Sequence, residues 1–170
     1  MDNKFLCVML GYDKETEKIL SDIQKELYLA GYVGTQTKKL AYHITLGIYD
    51  VEEENQMIEH VENVASKTSS FEITFNHIGI FGGSKVLFIA PDTNKELLEL
   101  KNNFGGSFNW TAHTTMLIDE PEIIYKALPI VAKNFSAFKG KVETIHLYEF
   151  RPMRKILSIS LINGENQNVR

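Results

Sequence analysis

Two segments of the chain, Tyr42-His43-Ile44-Thr45-Leu46 and Ala112-His113-Thr114-Thr115-Met116, carry the same triplet of histidine, any residue and threonine. In an extended strand, side chains two apart share a face. Each segment therefore presents an imidazole beside a hydroxyl, and Ile44, Leu46 and Ile48, or Ala112, Met116 and Ile118, are expected on the opposite face. Two such pairs facing one another would hold a phosphate between two histidines. In-line displacement at a phosphodiester needs a base and an acid on opposite sides of phosphorus. Histidine titrates closest to neutrality, so one neutral and one protonated ring can fill those roles. Thr45 and Thr115 would donate to the non-bridging oxygens.

The elements that must position these residues are written twice along the chain. Apolar periodicity predicts a strand over 5–10, a helix over 13–30 with Ile19, Leu20, Ile23 and Leu27 inward, and Gly31 as its stop. The strand around His43 follows. Next come a helix with Glu52, Glu53 and Glu54 in its first turn and Ile58, Val61 and Val64 inward, and a strand over 71–81. The second half repeats the order: a strand over 86–90, a helix opened by a Thr93/Glu96 capping box, and the strand around His113. A helix capped by Asp119, with Pro121 in its first turn and a kink or early end at Pro129, leads to strands over 141–150 and 155–162. The polar tail, 163–170, reads as frayed.

His77 and His146 align at an offset of 69 residues, and the motif histidines lie 70 apart. The expected fold class is therefore α+β: a bilobal duplicated fold of two antiparallel sheets about a pseudo-two-fold, helices outside and a groove between. The repeats span 5–81 and 86–162 of a single domain, 1–170. One histidine-x-threonine triplet arises readily by chance; two, each in the third element of a repeated half, do not.

Bulk properties narrow the partners. A net charge of −4 argues against broad polynucleotide binding and leaves room for a small phosphorylated substrate or a short RNA end. Cys7 is the only cysteine, which excludes an internal disulfide and a cysteine-rich metal site. Within an apolar run it reads as a buried strand residue. There is no His-Glu-x-x-His and no acidic cluster beside either motif histidine, so no metal and no cofactor are expected. The six apolar residues before Gly11 are too few for a secretory segment, and no stretch approaches a membrane span. A cytoplasmic monomer without membrane attachment is the expectation.

With these residues in place, the chain resembles the 2H phosphoesterase superfamily, near its 2′-5′ RNA ligase and cyclic phosphodiesterase branch. The carriers are His43-x-Thr45-Leu46, His113-x-Thr115-Met116, and the 71–81 strand running through Gly82-Gly83 into Val86-Leu87-Phe88. The resemblance implies metal-independent chemistry on 2′,3′-cyclic phosphates or 2′-5′ linkages of RNA ends or nucleotides. It also implies His43 and His113 as acid and base, with Thr45 and Thr115 on the phosphate. The competing reading is an RNA-end or nucleotide-binding module without significant turnover.

Other candidates stand around this core. Arg151, in the one compact basic cluster (Arg151-Pro152-Met153-Arg154-Lys155), could meet phosphate. Trp110, or Phe108 in the same glycine-bearing loop, could stack a base. Lys38 and Lys39 could draw phosphate to the groove mouth, whereas Tyr42 points to the core and His60 to the surface. His77 and His146 read as a symmetric pair without a metal role.

Overall fold

The computed structural model describes residues 3–83 and 85–164. Seven strands and four helices run in the order β1 (Phe5–Tyr12), α1 (Lys14–Leu29), β2 (His43–Tyr49), α2 (Glu54–Ala65), β3 (Phe71–Ile80), β4 (Val86–Pro91), α3 (Lys95–Asn102), β5 (Thr114–Ile118), α4 (Pro121–Asn134), β6 (Phe138–Phe150) and β7 (Arg154–Ser160). The α+β class and the repeated element order are as expected. Of the polar tail, 165–170 lie outside the described residues.

Helix ends follow local chemistry. Asp13 caps α1 by accepting from the Thr16 amide at 2.9 Å. At the other end, Gly31 takes a left-handed φ of 88° while the Gly31 and Tyr32 amides return to the Tyr28 and Leu27 carbonyls. Two expected caps move by one residue. Asn94, not Thr93, caps α3 by accepting from the Leu97 amide. Glu120, not Asp119, precedes Pro121 at the start of α4. The acidic turn before α2 is a short 3-10 segment, Val51–Glu53, closed by a capping box between Asp50 and Glu53. Pro129 neither ends nor shortens α4, which continues to Asn134. The amide it lacks would have met the carbonyl of Tyr125, a residue on the solvent side, while Ile124, Ala127 and Val131 stay buried.

The strands form one hydrogen-bonded network, β2-β1-β6-β3-β4-β5, with β7 also on β6, in place of the two separate sheets expected. The junction is β6. Its first residues pair with β3, from Phe75↔Phe138 to Phe71↔Val142, and the rest pairs with β1 and β7. Pairing is symmetric about Ile73↔Gly140, so residue i of β3 corresponds to residue i + 67 of β6. The third strands are also exchanged between halves: β6 completes the wing begun by β1 and β2, and β3 the wing of β4 and β5. On the other face of this network, Val8, Leu10, Ile44, Leu46, Ile145 and Leu147 bury against Leu20, Leu27, Val61 and Val131 of the helices.

Candidate active site

Matching β-bulges shape the two edges of the groove. In β1 the register slips between Val8 and Met9, and in β4 between Leu87 and Phe88. Met9 consequently faces Thr45, and Phe88 faces Thr115, with one extra residue, Leu46 or Met116, accommodated at each slip. A bulge re-aims the side chains beyond it. Ile44 and Leu46 remain in the core as expected, but Ile48 is 63% exposed and lines the cleft together with Ile118. Placing those two isoleucines with the core set was incorrect, because a sequence pattern carries no trace of a register slip.

β2 and β5 end the strand path, yet they meet. Tyr12 on β1 and Thr114 on β5 share a buried hydroxyl–hydroxyl bond of 2.5 Å. The Trp110 indole N–H donates to the Thr45 carbonyl at 3.0 Å. On the outer side of β5, the Met116 carbonyl accepts from Gln24, and the Ile118 amide donates to Gln36. Each edge thus makes hydrogen bonds with a segment of the other half, which ties the wings together. Between them lies a cleft of about 320 Å³ whose lining includes Phe5, Met9, His43, Thr45, Thr115 and Phe150.

The two motif histidines are held alike. His43 Nδ1 lies 2.9 Å from the Ala41 carbonyl, and His113 Nδ1 lies 2.9 Å from the Thr111 carbonyl. A carbonyl only accepts, so each Nδ1 carries the proton and each Nε2 is the open nitrogen. Burial lowers both pKa values from the ordinary histidine range, opposed in each case by the hydrogen bond to the carbonyl. The positive charge of His113 lowers His43 further.

Their surroundings differ. Beside His43 stands a third imidazole, His146 on β6, which is opposite Met9 in register. Its ring occupies the space over Gly11, where an added Cβ would come within 2.3 Å of Nε2. Ser158 Oγ on β7 holds its Nδ1 at 2.9 Å. Burial pushes the His146 pKa down to about 4, helped by the nearby charges of His43 and Lys155. In the other wing the residue opposite Phe88 is Gly79, and the Phe88 ring fills the space above it. Phe81 and Phe88 pack against His113 at 4.7 and 5.3 Å between centroids. The alignment of His77 with His146 was therefore two residues out. His77 pairs with Ala90, lies outside the groove and approaches Asp92 at 3.6 Å, whereas His146 corresponds to Gly79.

The remaining candidates take distinct places. Lys38 and Lys39 line the cleft mouth, and Tyr42 also borders it while its hydroxyl donates to Gln24. Arg151 sits at the rim, its guanidinium 5.6 Å from the centre of the Phe5 ring. Trp110 is half-buried against the core with Lys101 5.7 Å from its ring centre, and Phe108 is the exposed aromatic of that loop at 90%. Cys7 is buried, and desolvation pushes its thiol up to about 11, so it is neutral at physiological pH. His60 is half-buried, bonded to the Asn103 carbonyl and packed on Phe104. Among the described residues, no group of three or more His, Cys, Asp or Glu is arranged to hold a metal ion. Likewise, no helix is long and apolar enough to cross a membrane. The residue that sequence reasoning undervalued is His146; its signal was the alternation of β6, which puts Thr144, His146, Tyr148 and Phe150 on one side.

Solved structures share this fold. LigT of E. coli in its apo form superimposes with a TM-score of 0.62 at 15% identity, over 96% of this chain and 100% of LigT. LigT complexed with 3′-AMP gives 0.63 at 16% identity, over 95% and 99%. TT0787 of Thermus thermophilus gives 0.63 at 14% identity, over 94% and 99%. No curated protein matches the chain by sequence. The model of the 2′-5′ RNA ligase superfamily matches residues 15–152, spanning both histidine motifs. The chain thus belongs to the 2′-5′ RNA ligase superfamily, the 2H phosphoesterases and RNA-ligase-like enzymes.

Proposed function

We propose that the protein is a metal-independent phosphoesterase that opens 2′,3′-cyclic phosphates or cleaves 2′-5′ linkages at RNA or nucleotide ends. The observation that carries this reading is the pair of imidazoles with the same tautomer, each Nδ1 tied to the carbonyl two residues earlier. That arrangement leaves one open Nε2 on each wing, which is what a base and an acid on either side of phosphorus require. Thr45 and Thr115 donate to the non-bridging oxygens. Arg151 and the lysines of the cleft mouth supply attraction for the anion, and Trp110 is a wall beside the substrate. A fold relative, LigT, is known in complex with 3′-AMP, in keeping with a nucleotide in this cleft.

The two environments assign the roles. Burial and the charge of His113 both disfavour the charged form of His43, whereas for His113 burial is the cause of the lowering. His113 is packed by two phenyl rings, which add no positive charge of their own. His43 is accordingly the base and His113 the acid. His43 takes a proton from water as the new P–O bond forms; His113 gives its Nε2 proton to the ribose oxygen as the old P–O bond breaks. Exchange with solvent then restores both rings.

The test is a panel of 2′,3′-cyclic nucleotides and 2′-5′-linked dinucleotides incubated with EDTA, the product regiochemistry read by phosphorus NMR. Turnover that persists in EDTA and disappears in His43→Ala and His113→Ala is expected. Binding of the nucleotides with no product after long incubation would replace this reading with that of a binding module.

A further inference from the structure

Outside the catalytic pair, the most distinctive surface is a row of rings on β1 and β6. Along β6, Ile145, Leu147 and Glu149 are buried while His146, Tyr148 and Phe150 are half-exposed on the groove side. Phe5 stacks on Phe150 with centroids 5.3 Å apart and planes 15° apart. Tyr148 lies 6.2 Å from Phe150, and His146 lies 6.1 Å from Tyr148. From Phe150 to His146 the row extends about 14 Å at ~3.4 Å per residue. The His146 end stands beside His43, and at the other end Phe5 and Phe150 form part of the cleft wall.

Cations flank the row. Arg151 lies over Phe5, and Lys155 stands opposite Tyr148 in the β6–β7 register. The nearest carboxylate on β6, Glu149, faces away from the row and is engaged by Lys4 and Arg154. Among the described residues, the other wing has no such surface. Its counterparts, by the 67-residue correspondence, are Gly79, Phe81 and Gly83, and the Phe81 ring is spent on packing Phe88 and His113. Half-exposed rings with cations alongside suit a strand of alternating bases and phosphates, because stacking accepts any base and the cations meet the backbone. Only one wing offers this, so it also gives the substrate a direction.

We infer that Phe5, Phe150 and Tyr148 form a stacking track for the bases of a single-stranded RNA end whose terminal phosphate lies between His43 and His113. The preferred substrate is therefore an oligonucleotide, with its chain leaving the cleft along β6. This rests on the functional reading above and adds to it where the bases lie.

A ligand that cannot turn over isolates the binding. Affinities of adenosine 3′-monophosphate, a 3′-phosphorylated adenosine trinucleotide, and an abasic analogue of that trinucleotide would be measured by calorimetry on the full chain. The variants are Tyr148→Ala, Phe150→Ala and Tyr148→Phe, with circular dichroism to confirm folding. The trinucleotide is expected to bind at least about tenfold tighter than the monophosphate, given the usual strength of a base on an aromatic ring. Either alanine variant should remove most of that advantage, and Tyr148→Phe should keep it. The abasic analogue should bind no better than the monophosphate. Equal affinity for the two nucleotides, or an advantage that survives ring removal or base removal, would overturn the track while leaving the catalytic reading intact. If none of the ligands bound, both readings would fall together.

Discussion

The two wings carry the same motif on the same bulged strand pair, and they treat its histidine differently. In the first, Gly11 makes room for His146, so His43 has a second imidazole beside it. In the second, Gly79 makes room for Phe88, so His113 is boxed by aromatic rings. The backbone logic is shared: a glycine on one strand yields its space to a ring from the neighbouring strand. The chemistry is not shared, because an imidazole can acquire charge and a phenyl ring cannot. A pseudo-symmetric scaffold thereby gives its two histidines unequal surroundings, in keeping with the proposed division into base and acid.

The sharpest way to break this comparison is to remove each histidine in turn. His43→Ala and His113→Ala should each lower turnover of a 2′,3′-cyclic nucleotide by roughly 10²–10⁴-fold, as expected for loss of a positioned acid or base. With a 4-nitrophenyl phosphodiester, whose leaving group needs no proton, His113→Ala should recover much of its activity and His43→Ala should not. Recovery in the other variant would reverse the assignment.

Glycine substitutions probe the scaffold beneath. Gly11→Ala would bring a Cβ within 2.3 Å of the His146 ring, and Gly79→Ala within 2.2 Å of the Phe88 ring. Each should destabilise the protein by about 1–3 kcal/mol through overpacking, measured by urea denaturation. In NMR spectra the first should shift the His43 and His146 resonances and the second those of His113. Matching shifts in both wings would deny that the environments are separate.

The pH profile follows from the depressed histidines. Because burial lowers both motif histidines, kcat/KM should be bell-shaped with its maximum on the acid side of 6.5. With its pKa pushed down to about 4, His146 is neutral over most of the profile, so His146→Gln should leave both limbs nearly unmoved. A marked shift of either limb would show that His146 carries charge beside the catalytic pair. Stability carries the same sign. The folded pKa of His146 is about 4, so the unfolded chain binds the extra proton between pH 6.5 and 4. Its contribution is present above 6.5 and lost as pH falls through that window, and His146→Gln should flatten this segment of the stability curve.

The smallest effect is expected at the tie between wings. Trp110→Phe keeps the ring and removes the indole donor to Thr45, at a cost of about 1 kcal/mol in denaturant unfolding. No change in stability would mean that the other contacts across the wings suffice.

Local chemistry made much of this molecule readable from residue types. Asp13 before an apolar stripe marks a helix start, Gly31 its end, and the alternating strands place His43 with Thr45 and His113 with Thr115. These signals were sufficient because caps, turns and strand faces depend on neighbours a few residues away. The paired triplets also led to the right superfamily. What could not be read depends on register. The slips at Val8/Met9 and Leu87/Phe88 turn Ile48 and Ile118 into the cleft. The 67-residue correspondence, in place of 69, sets His146 against Gly79, and the exchange of β3 and β6 joins two expected sheets into one. Residue types alone establish which groups can move a proton. Which of those groups stand side by side is established only in the folded chain, because pairing between distant strands is settled by how whole faces bury together.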